Sequence, residues 1–528
     1  MKRGEIAGNF TRGAFFLGIE KGVAMASTLL YTALMARWLG PHNYGMLTVA
    51  FSIVTLATAF TGNFEMFMER YSAEYQMQNR LGRLRRAFLI ALALKTALGL
   101  VACAGLLSLT GWLAGFYRIE ELRLLVPLLT VFVATDGLST TGRALLFGLQ
   151  RFEWVSGLSL IFNVGKTVLV GLLWLGGQGL VSLAIGFSSL AALQAIVTFI
   201  AAERVLRRTS GPPAAPAPPA GPEGGLLRAM FAYCVPLYGA RLSFLSGQNL
   251  GKLVLGKLLD PSALGLFTFA FQTVERFVEL AHTVPNSLLP SLTQLVAHGD
   301  RERLRYITDQ AFRLIQLLAC ALSFVLFVYA HELVRIVGSS SFLPAVPYLR
   351  ILALVPIART AQQPLTMLFQ AMRRPGYVFR LAVLKLAAEV AGYFLLLVPF
   401  GAAGACWANL GGAVVSFAGA LALAAVLVPE GVEERLGAVV RNLLLLTPGL
   451  LATMFAEREL GTLGSLPVRL FLVLPAVLGV FALGLVTRYD LDKLAHLALP
   501  GTWLPRLRDR VVAGADRLAR VFENRRTA

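Results

Sequence analysis

Apolar runs of about 20 residues, separated by short polar segments, follow one another along almost the whole chain. A helix of about 20 residues is long enough to cross the hydrocarbon core of a membrane. Hydrophobic residues make up 56% of the 528 residues and charged residues only 15%, against about 25% charge in an average soluble protein. The sequence therefore predicts a polytopic membrane protein that has no room for a large soluble catalytic domain.

The predicted fold is an all-α membrane protein with about 14 transmembrane helices, in two pseudo-symmetric six-helix lobes followed by a C-terminal helix pair. A stretch rich in proline separates the lobes, because proline at this density forms neither helix nor sheet. In chain order we predict an N-terminal lobe at 1–208, a Pro-rich cytoplasmic linker at 209–225, a C-terminal lobe at 226–428, an extra helix pair at 429–487 and a basic amphipathic cytoplasmic tail at 488–528.

Positive charge is concentrated in alternate loops between the predicted spans, and the intervening loops carry little. The arginines of these basic loops include Arg83, Arg85, Arg86, Arg204, Arg207, Arg208, Arg301, Arg303, Arg305, Arg373 and Arg374. Because basic loops stay on the cytoplasmic side, we expect both termini in the cytoplasm, and we expect the membrane to be the bacterial inner membrane. The net charge of +19 then reflects orientation and contacts with anionic lipids, and we expect no nucleic-acid partner.

The sequence repeats itself at an offset of 220 residues, because segment 38–51 aligns with segment 258–271. The identical pairs are Leu39/Leu259, Pro41/Pro261, Gly45/Gly265, Thr48/Thr268, Ala50/Ala270 and Phe51/Phe271. Each copy contains a helix end, a turn with proline and glycine, and the start of another helix. Parallel repeats of this kind are typical of transporters whose binding site lies at the repeat interface.

The first copy closes the first predicted span with residues 36–45, ARWLGPHNYG. This segment resembles the R-x-LGP-x-x-YG signature of polysaccharide flippases, which share a superfamily with lipid II flippases and multidrug extruders. The resemblance covers nearly the whole chain, although Asp260 stands in the second copy where the first has Gly40. It implies a lipid-linked saccharide as substrate and coupling of transport to an ion gradient or to the membrane potential.

Charged residues inside the predicted spans are the candidates for function, because a central Lys, Arg or Asp costs about 2.5 to 3.5 kcal/mol to insert. Several lie on polar stripes at steps of three or four residues, which places them on one helix face. The predicted substrate-binding cations, expected to form a cationic central cavity, are Lys21, Lys166, Arg241, Lys252, Arg276, Arg359 and Lys385. The predicted proton- or ion-coupling carboxylates are Glu20, Asp136, Glu275, Glu279 and Glu389.

A structural role is the alternative interpretation for several of these charges. Glu275 with Arg276, and Glu389 with Lys385, are equally compatible with purely structural polar networks. Arg37, at a helix end, is expected to reach the lipid headgroups, as is Lys257. No metal or cofactor site and no enzyme is predicted, since the chain has no His-Glu-x-x-His, no cluster of Cys and His, and no long exterior loop.

We therefore expect a transporter that flips a polyprenyl-pyrophosphate-linked oligosaccharide across the cytoplasmic membrane by alternating access, for surface polysaccharides such as lipopolysaccharide or exopolysaccharide. Lysine and arginine in the cavity would replace the hydration that a pyrophosphate loses. The alternatives are a lipid II-type flippase for peptidoglycan precursor, a multidrug-type cation antiporter of the same superfamily, and a membrane scaffold for glycan assembly. Expected partners are the lipid-linked glycan, membrane lipids and glycan polymerase or assembly proteins.

Overall fold

The part of the chain that the structure describes is helical throughout. The structure is a computed structural model, and it describes residues 3–78, 80–209, 224–286, 288–372, 374–429 and 431–464, with a few isolated positions beyond 464. These residues form α-helices and two short 3-10 helices, at Thr58–Thr61 and Ser340–Ala345, and they contain no strand. The predicted all-α class is confirmed for this part of the chain.

The α-helices differ widely in length, and their bounds are as follows. They are α1 (Arg3–Ala57), α2 (Glu65–Met77), α3 (Leu81–Tyr117), α4 (Leu122–Leu129), α5 (Val131–Gly148), α6 (Phe152–Leu175), α7 (Leu180–Thr209), α8 (Gly224–Leu258), α9 (Pro261–Asn286), α10 (Leu289–His298), α11 (Arg301–Val328), α12 (Ala330–Gly338), α13 (Val346–Leu352), α14 (Val355–Ala371), α15 (Pro375–Leu427) and α16 (Val432–Gly464). Three of them, α1, α15 and α16, are interrupted by a kink at a glycine.

Eight of the described helices are long and apolar enough to cross a membrane, and the bent pair α13–α14 raises the number to nine. Two of the eight, Gly22–Thr61 and Gly376–Leu427, have 40 and 52 residues. At about 1.5 Å per residue both exceed one crossing of a core about 30 Å thick. The kinks at Gly40 (φ 68°) and Gly401 (φ 55°) divide them. The count of about 14 stays a prediction, because the second helix of the pair predicted at 429–487 lies almost entirely outside the described residues.

The chain divides into two compact units. The first contains Met1–Phe269 and Val334–Ala345, and the second contains Ala270–Leu333 and Val346–Ala528. Helix α8 and the start of α9 thus pack with the first unit. The lobes predicted at 1–208 and 226–428 remain predictions, and the predicted linker at 209–225 lies almost entirely outside the described residues.

The two copies of the repeated motif contact each other within the first unit. A Cβ added at Gly45 would meet the carbonyl oxygen of the proline in the second copy, and one at Gly265 would meet that of the proline in the first. His42 Nδ1 lies 3.3 Å from the Oγ of Ser262, its equivalent in the repeat. The motif therefore pairs with itself, and only glycine lets the backbones of α1 and α9 approach this closely.

A second pair of contacts in the first unit follows the same offset. Arg37 donates a hydrogen bond to the carbonyl oxygen of Ile336, and Lys257 donates one to that of Phe116. Arg37 and Lys257 are 220 residues apart, and so are Phe116 and Ile336. These two exposed cations bind helix carbonyls in equivalent ways, which shows that the repeat extends from sequence to contacts.

A buried cluster of aromatic and aliphatic side chains holds the helices of the first unit together. Phe67 of α2, Phe88 of α3 and Leu145 of α5 are fully buried in it. In water, burial of such a side chain contributes about 1.5 to 3 kcal/mol to stability. In lipid the hydrophobic contribution between helices is absent, and the helices are held together by close packing. This packing positions α2, α3 and α5, which also carry a buried charge.

Ion pairs attach α16 to the second unit at both of its ends. Near its start, Arg435 Nε lies 2.5 Å from Asp309 Oδ1 of α11. Near its end, Glu457 pairs with Arg350 of α13. The first helix of the predicted C-terminal pair is therefore bonded to the rest of the second unit by charged side chains as well as by apolar packing.

Candidate functional site

A lysine near the middle of α3 is completely buried in the first unit. Lys95 is 0% exposed, and its Nζ lies 2.8 Å from Glu65 Oε2 of α2 and 3.0 Å from Asp136 Oδ2 of α5. The same Nζ donates a hydrogen bond of 2.6 Å to Thr140 Oγ1. Thr61 Oγ1 donates one of 2.9 Å to Asp136 Oδ2. We refer to Glu65, Lys95, Asp136 and Thr140 as the Lys95 cluster.

The Lys95 cluster links three helices through charge. An ammonium group removed from water is costly by several kcal/mol unless carboxylates and hydrogen-bond acceptors surround it, which is the arrangement seen here. The cluster therefore holds α2, α3 and α5 together through one buried cation and its two carboxylates.

The sequence predicts Asp136 as a functional residue but misses Lys95 and Glu65. A signal for the lysine was present, since Lys95 is the sole charged residue between Arg86 and Arg118. A lone charge in the middle of an apolar span marks an internal contact. Glu65 gave no such signal, because it lies near the end of a predicted span, where charges are common.

In the second unit, the polar stripe of α9 contributes to two ion pairs. Glu275 pairs with Arg359 of α14, and each side chain is about three-quarters buried. Arg276 Nη1 lies 3.1 Å from Glu279 Oε2 on the same helix, and the Glu279 side chain is 75% exposed. The stripe thus joins α9 to α14 through Glu275 and presents Glu279 at the surface.

The predicted pair Lys385 and Glu389 forms an ion pair on α15, with Nζ 2.6 Å from Oε1. Asn409 Nδ2 donates a hydrogen bond of 2.9 Å to the same oxygen from beyond the kink of α15. A Cβ added at Gly412 would meet the Glu389 side chain, so a glycine there lets the two halves of α15 pack closely. Glu389 is 3% exposed and is thus the most buried of the predicted carboxylates whose side chains are described.

The remaining predicted cations differ in what surrounds them. Lys166 lies half-buried on α6, and no carboxylate in the described part of the chain is within ion-pair distance of it. The residue next to it, Thr167, has its Oγ1 2.7 Å from Ser27 Oγ of α1. Lys252 lies half-buried on α8. Glu20, Lys21 and Arg241 lie on α1 and α8, with side chains outside those described.

The structure thus brings Asp136 together with Lys95, Glu275 with Arg359, and Glu389 with Lys385. Within the described residues, no group of three or more His, Cys, Asp or Glu side chains is arranged to hold a metal ion. The four cysteines, which the sequence places in apolar runs, are all buried and unpaired thiols.

Comparison with known proteins places this helical architecture in a family. The model of the family described as "Polysaccharide biosynthesis protein" matches residues 34–347, a stretch that contains both copies of the repeated motif. The chain belongs to this family. The family resemblance predicted from residues 36–45 is thereby confirmed.

Among curated relatives, this chain is similar to the probable low-salt glycan biosynthesis flippase Agl15 of Haloferax volcanii. The two are 22% identical over 156 residues, which is 30% of this chain and 33% of the relative. The match therefore spans a third of the relative's own length.

Solved structures share the fold of this chain at low sequence identity. Lipid II flippase MurJ in an inward closed conformation has a TM-score of 0.62 and 12% identity, over 90% of this chain and 98% of that one. An inward-facing multidrug resistance MATE family transporter of the MOP superfamily has a TM-score of 0.56 and 14% identity, over 75% of this chain and 92% of that one. The fold is therefore that of MurJ and of MATE transporters.

Proposed function

We propose that this protein flips a polyprenyl-pyrophosphate-linked oligosaccharide across the cytoplasmic membrane by alternating access, for the synthesis of a surface polysaccharide. Family membership, the partial match to a glycan biosynthesis flippase and the MurJ-like and MATE-like fold support a transporter rather than an enzyme. The arginine-rich alternate loops support an orientation with both termini in the cytoplasm, and the proposed location is the bacterial inner membrane. Glycan polymerase or assembly proteins are the expected partners.

The observation that carries the proposal is the lysine of α6. Lys166 lies well inside an apolar helix, where a cation costs about 2.5 to 3.5 kcal/mol, and no described carboxylate pairs with it. Lys385, which lies 219 residues later and thus close to the equivalent position of the repeat, is paired with Glu389. A cation inside a span with no described carboxylate at ion-pair distance suits an anionic ligand, and a pyrophosphate brings the charge that Lys166 would stabilise.

Two other predicted features enter the proposal as parts of the transport cycle. Lys21, Arg241, Lys252, Arg276 and Arg359 are proposed to contact the substrate together with Lys166 and Lys385. The carboxylates of Glu20, Asp136, Glu275, Glu279 and Glu389 are proposed to couple transport to an ion gradient. Asp136 and Glu389 are the strongest of these, because each is bonded to a lysine whose pairing changes when the carboxylate takes a proton.

The test is a flipping assay with purified protein in liposomes that contain a polyprenyl-pyrophosphate-linked oligosaccharide. The measurement is the rate at which the glycan becomes accessible to a membrane-impermeant reagent. Lys166→Met is expected to slow flipping by about tenfold or more, the equivalent of one charge-assisted hydrogen bond, and Lys166→Arg is expected to retain most of the rate. Arg228→Met, which removes an exposed cation from α8, is the matched control. A wild-type rate for Lys166→Met would refute the role of this lysine.

A lipid II-type flippase is the alternative that the MurJ-like fold favours. The same liposomes, loaded with lipid II instead, distinguish the two substrates, and an organic cation tests the multidrug alternative. Deletion of the gene provides a second criterion. We expect a surface glycan to be lost while its lipid-linked precursor accumulates on the cytoplasmic side. Accumulation of lipid II with arrested growth would favour the alternative.

A further inference from the structure

A cavity of about 460 Å³ opens among the first turns of α11 and α16, entirely within the second unit. Four arginines line it, two on each helix: Arg305, Arg313, Arg435 and Arg441. The volume is within the range of small-molecule sites, which is about 300 to 1,000 Å³. None of these residues is among those proposed above to bind or couple the transported substrate.

Carboxylates in the lining neutralise only part of this charge. Asp309 Oδ1 lies 2.5 Å from Arg435 Nε, and its Oδ2 lies 3.6 Å from Arg305 Nε. Glu434 Oε1 lies 3.7 Å from Arg305 Nη2. In the described part of the chain, no carboxylate is within ion-pair distance of Arg441. With Glu302 as the third carboxylate, the cavity has four arginines against three acids and a net positive charge.

The side chain of Arg435 has a buried donor that lacks an acceptor. Arg435 is 2% exposed, its Nε is bonded to Asp309, and its Nη1 donates a hydrogen bond of 3.5 Å to the carbonyl oxygen of Val428. Its Nη2 is buried and has no hydrogen-bond partner in the described residues. Buried donors without a partner are rare and costly, so this nitrogen indicates an oxygen-bearing ligand in the cavity.

The starts of two helices add to the positive potential. Helix α11 begins after Asp300, whose Oδ1 accepts a hydrogen bond of 3.0 Å from the backbone of Arg303, and α16 begins at Val432. The Asp309–Arg435 pair holds these two ends side by side, and Gly431, at φ 90°, lies so close that an added Cβ would meet Asp309. The amino-terminal end of a helix is positive, so both helix dipoles favour an anion here.

The surroundings of the cavity indicate a ligand that comes from the membrane. Leu436 and Val440 of α16 are 48% and 54% exposed next to the lining arginines, and Tyr306 of α11 is 50% exposed at the same level. Exposed aliphatic residues face lipid, and tyrosine is enriched at the depth of the headgroups. The arginine-rich segment that forms the first turns of α11 is predicted to be cytoplasmic.

We propose that this cavity binds the phosphate group of an anionic phospholipid headgroup at the cytoplasmic face of the membrane. The phosphate oxygens would accept hydrogen bonds from Arg435 Nη2 and from the guanidinium of Arg441, which is a geometry that arginine favours for phosphate. Basic pockets between membrane helices on the cytoplasmic side recognise lipid headgroups in this way. The site is independent of the cargo, so it stands or falls separately from the proposed transport function.

The test is lipid binding to the purified full-length protein, measured by native mass spectrometry with phosphatidylglycerol as the probe and phosphatidylcholine as the zwitterionic comparison. Arg441→Gln is expected to weaken binding of the first phosphatidylglycerol by about fivefold, the contribution of one basic residue near an anionic surface. Arg303→Gln is the matched control, because Arg303 is an exposed arginine of α11 outside the cavity. Equal binding by the two variants would overturn the proposal.

A soluble phosphate ester is the other source of the same chemistry. We expect that glycerol 3-phosphate does not displace bound phosphatidylglycerol, even at concentrations at which added phosphatidylglycerol does displace it. Displacement at equal concentrations would show that the site takes soluble phosphate esters and would overturn the assignment to lipid.

A second measurement on the wild-type protein avoids variants that fail to fold. Phosphatidylglycerol is expected to slow amide hydrogen exchange in residues 302–313 and 434–441, and phosphatidylcholine is not. If the two lipids protect these segments equally, the site does not recognise an anionic headgroup.

Discussion

Replacement of Lys95 by methionine is expected to destabilise the first unit strongly, because the substitution leaves two carboxylates in a buried site without their cation. Lys95 is 0% exposed and lies 2.8 Å from Glu65 and 3.0 Å from Asp136. Removing one partner of a buried ion pair costs about 3 to 5 kcal/mol. At about 2 °C per kcal/mol for a large domain, the apparent Tm is expected to fall by roughly 6 to 10 °C.

Thermal unfolding in detergent, followed by intrinsic fluorescence, measures this shift, because four of the six tryptophans lie in the first unit. Arg228→Met is again the control, and a surface substitution of this kind changes stability by about 0.5 kcal/mol at most.

A double-mutant cycle distinguishes lost charge pairing from lost packing. Lys95→Met combined with Asp136→Asn removes the cation and one of its carboxylates together, so the double variant is expected to lose less than the sum of the single variants. Side chains in direct contact show coupling of about 0.5 to 3 kcal/mol. Two results would refute the reasoning: a Tm for Lys95→Met equal to that of the control, or single effects that add within about 0.5 kcal/mol.

Four further substitutions, one of them a control, test other contacts. Gly45→Ala is expected to lower the Tm, because the added Cβ would meet the backbone of α9. Its control is Gly111→Ala on α3, where an added Cβ meets nothing and alanine is expected to stabilise the helix by about 0.5 to 1 kcal/mol. Equal Tm values for the two variants would contradict the close contact between α1 and α9. Glu389→Gln leaves Lys385 without its carboxylate and is expected to reduce stability by about 3 kcal/mol, measured by the same unfolding assay. Gly431→Ala is expected to lower the free energy of unfolding by about 1 to 3 kcal/mol, because alanine at φ 90° is strained and its Cβ would meet Asp309. An unchanged Tm would exclude the close contact between α11 and α16.

The repeat is the part of the fold that the sequence predicted in most detail. The offset of 220 residues follows from identical residues such as Gly45 and Gly265. That these two glycines face each other did not follow, because a sequence alignment pairs positions without saying whether they touch. The contacts of Arg37 with Ile336 and of Lys257 with Phe116 were not predicted either, since both cations were expected to reach the headgroups.

The candidate site was predictable only where the partners share a helix. Lys385 and Glu389 are four residues apart, so helical geometry alone places them in reach of each other, and the structure shows this pair. The Lys95 cluster joins residues up to 75 positions apart on three helices. Which lysine meets which carboxylate at that separation depends on how the helices pack.

By itself, the sequence determined that this protein lies in a membrane, that its fold is all-α and that it belongs to its family. Long apolar runs require a membrane, and the motif at 36–45 marks the family. Only the tertiary structure decided which charges inside the spans are compensated. Lys95 has two carboxylates and Lys166 has none among the described residues, although both are single lysines in apolar helices. The physical reason is that hydropathy is summed along one helix, whereas the cost of a buried charge depends on the side chains that neighbouring helices bring to it.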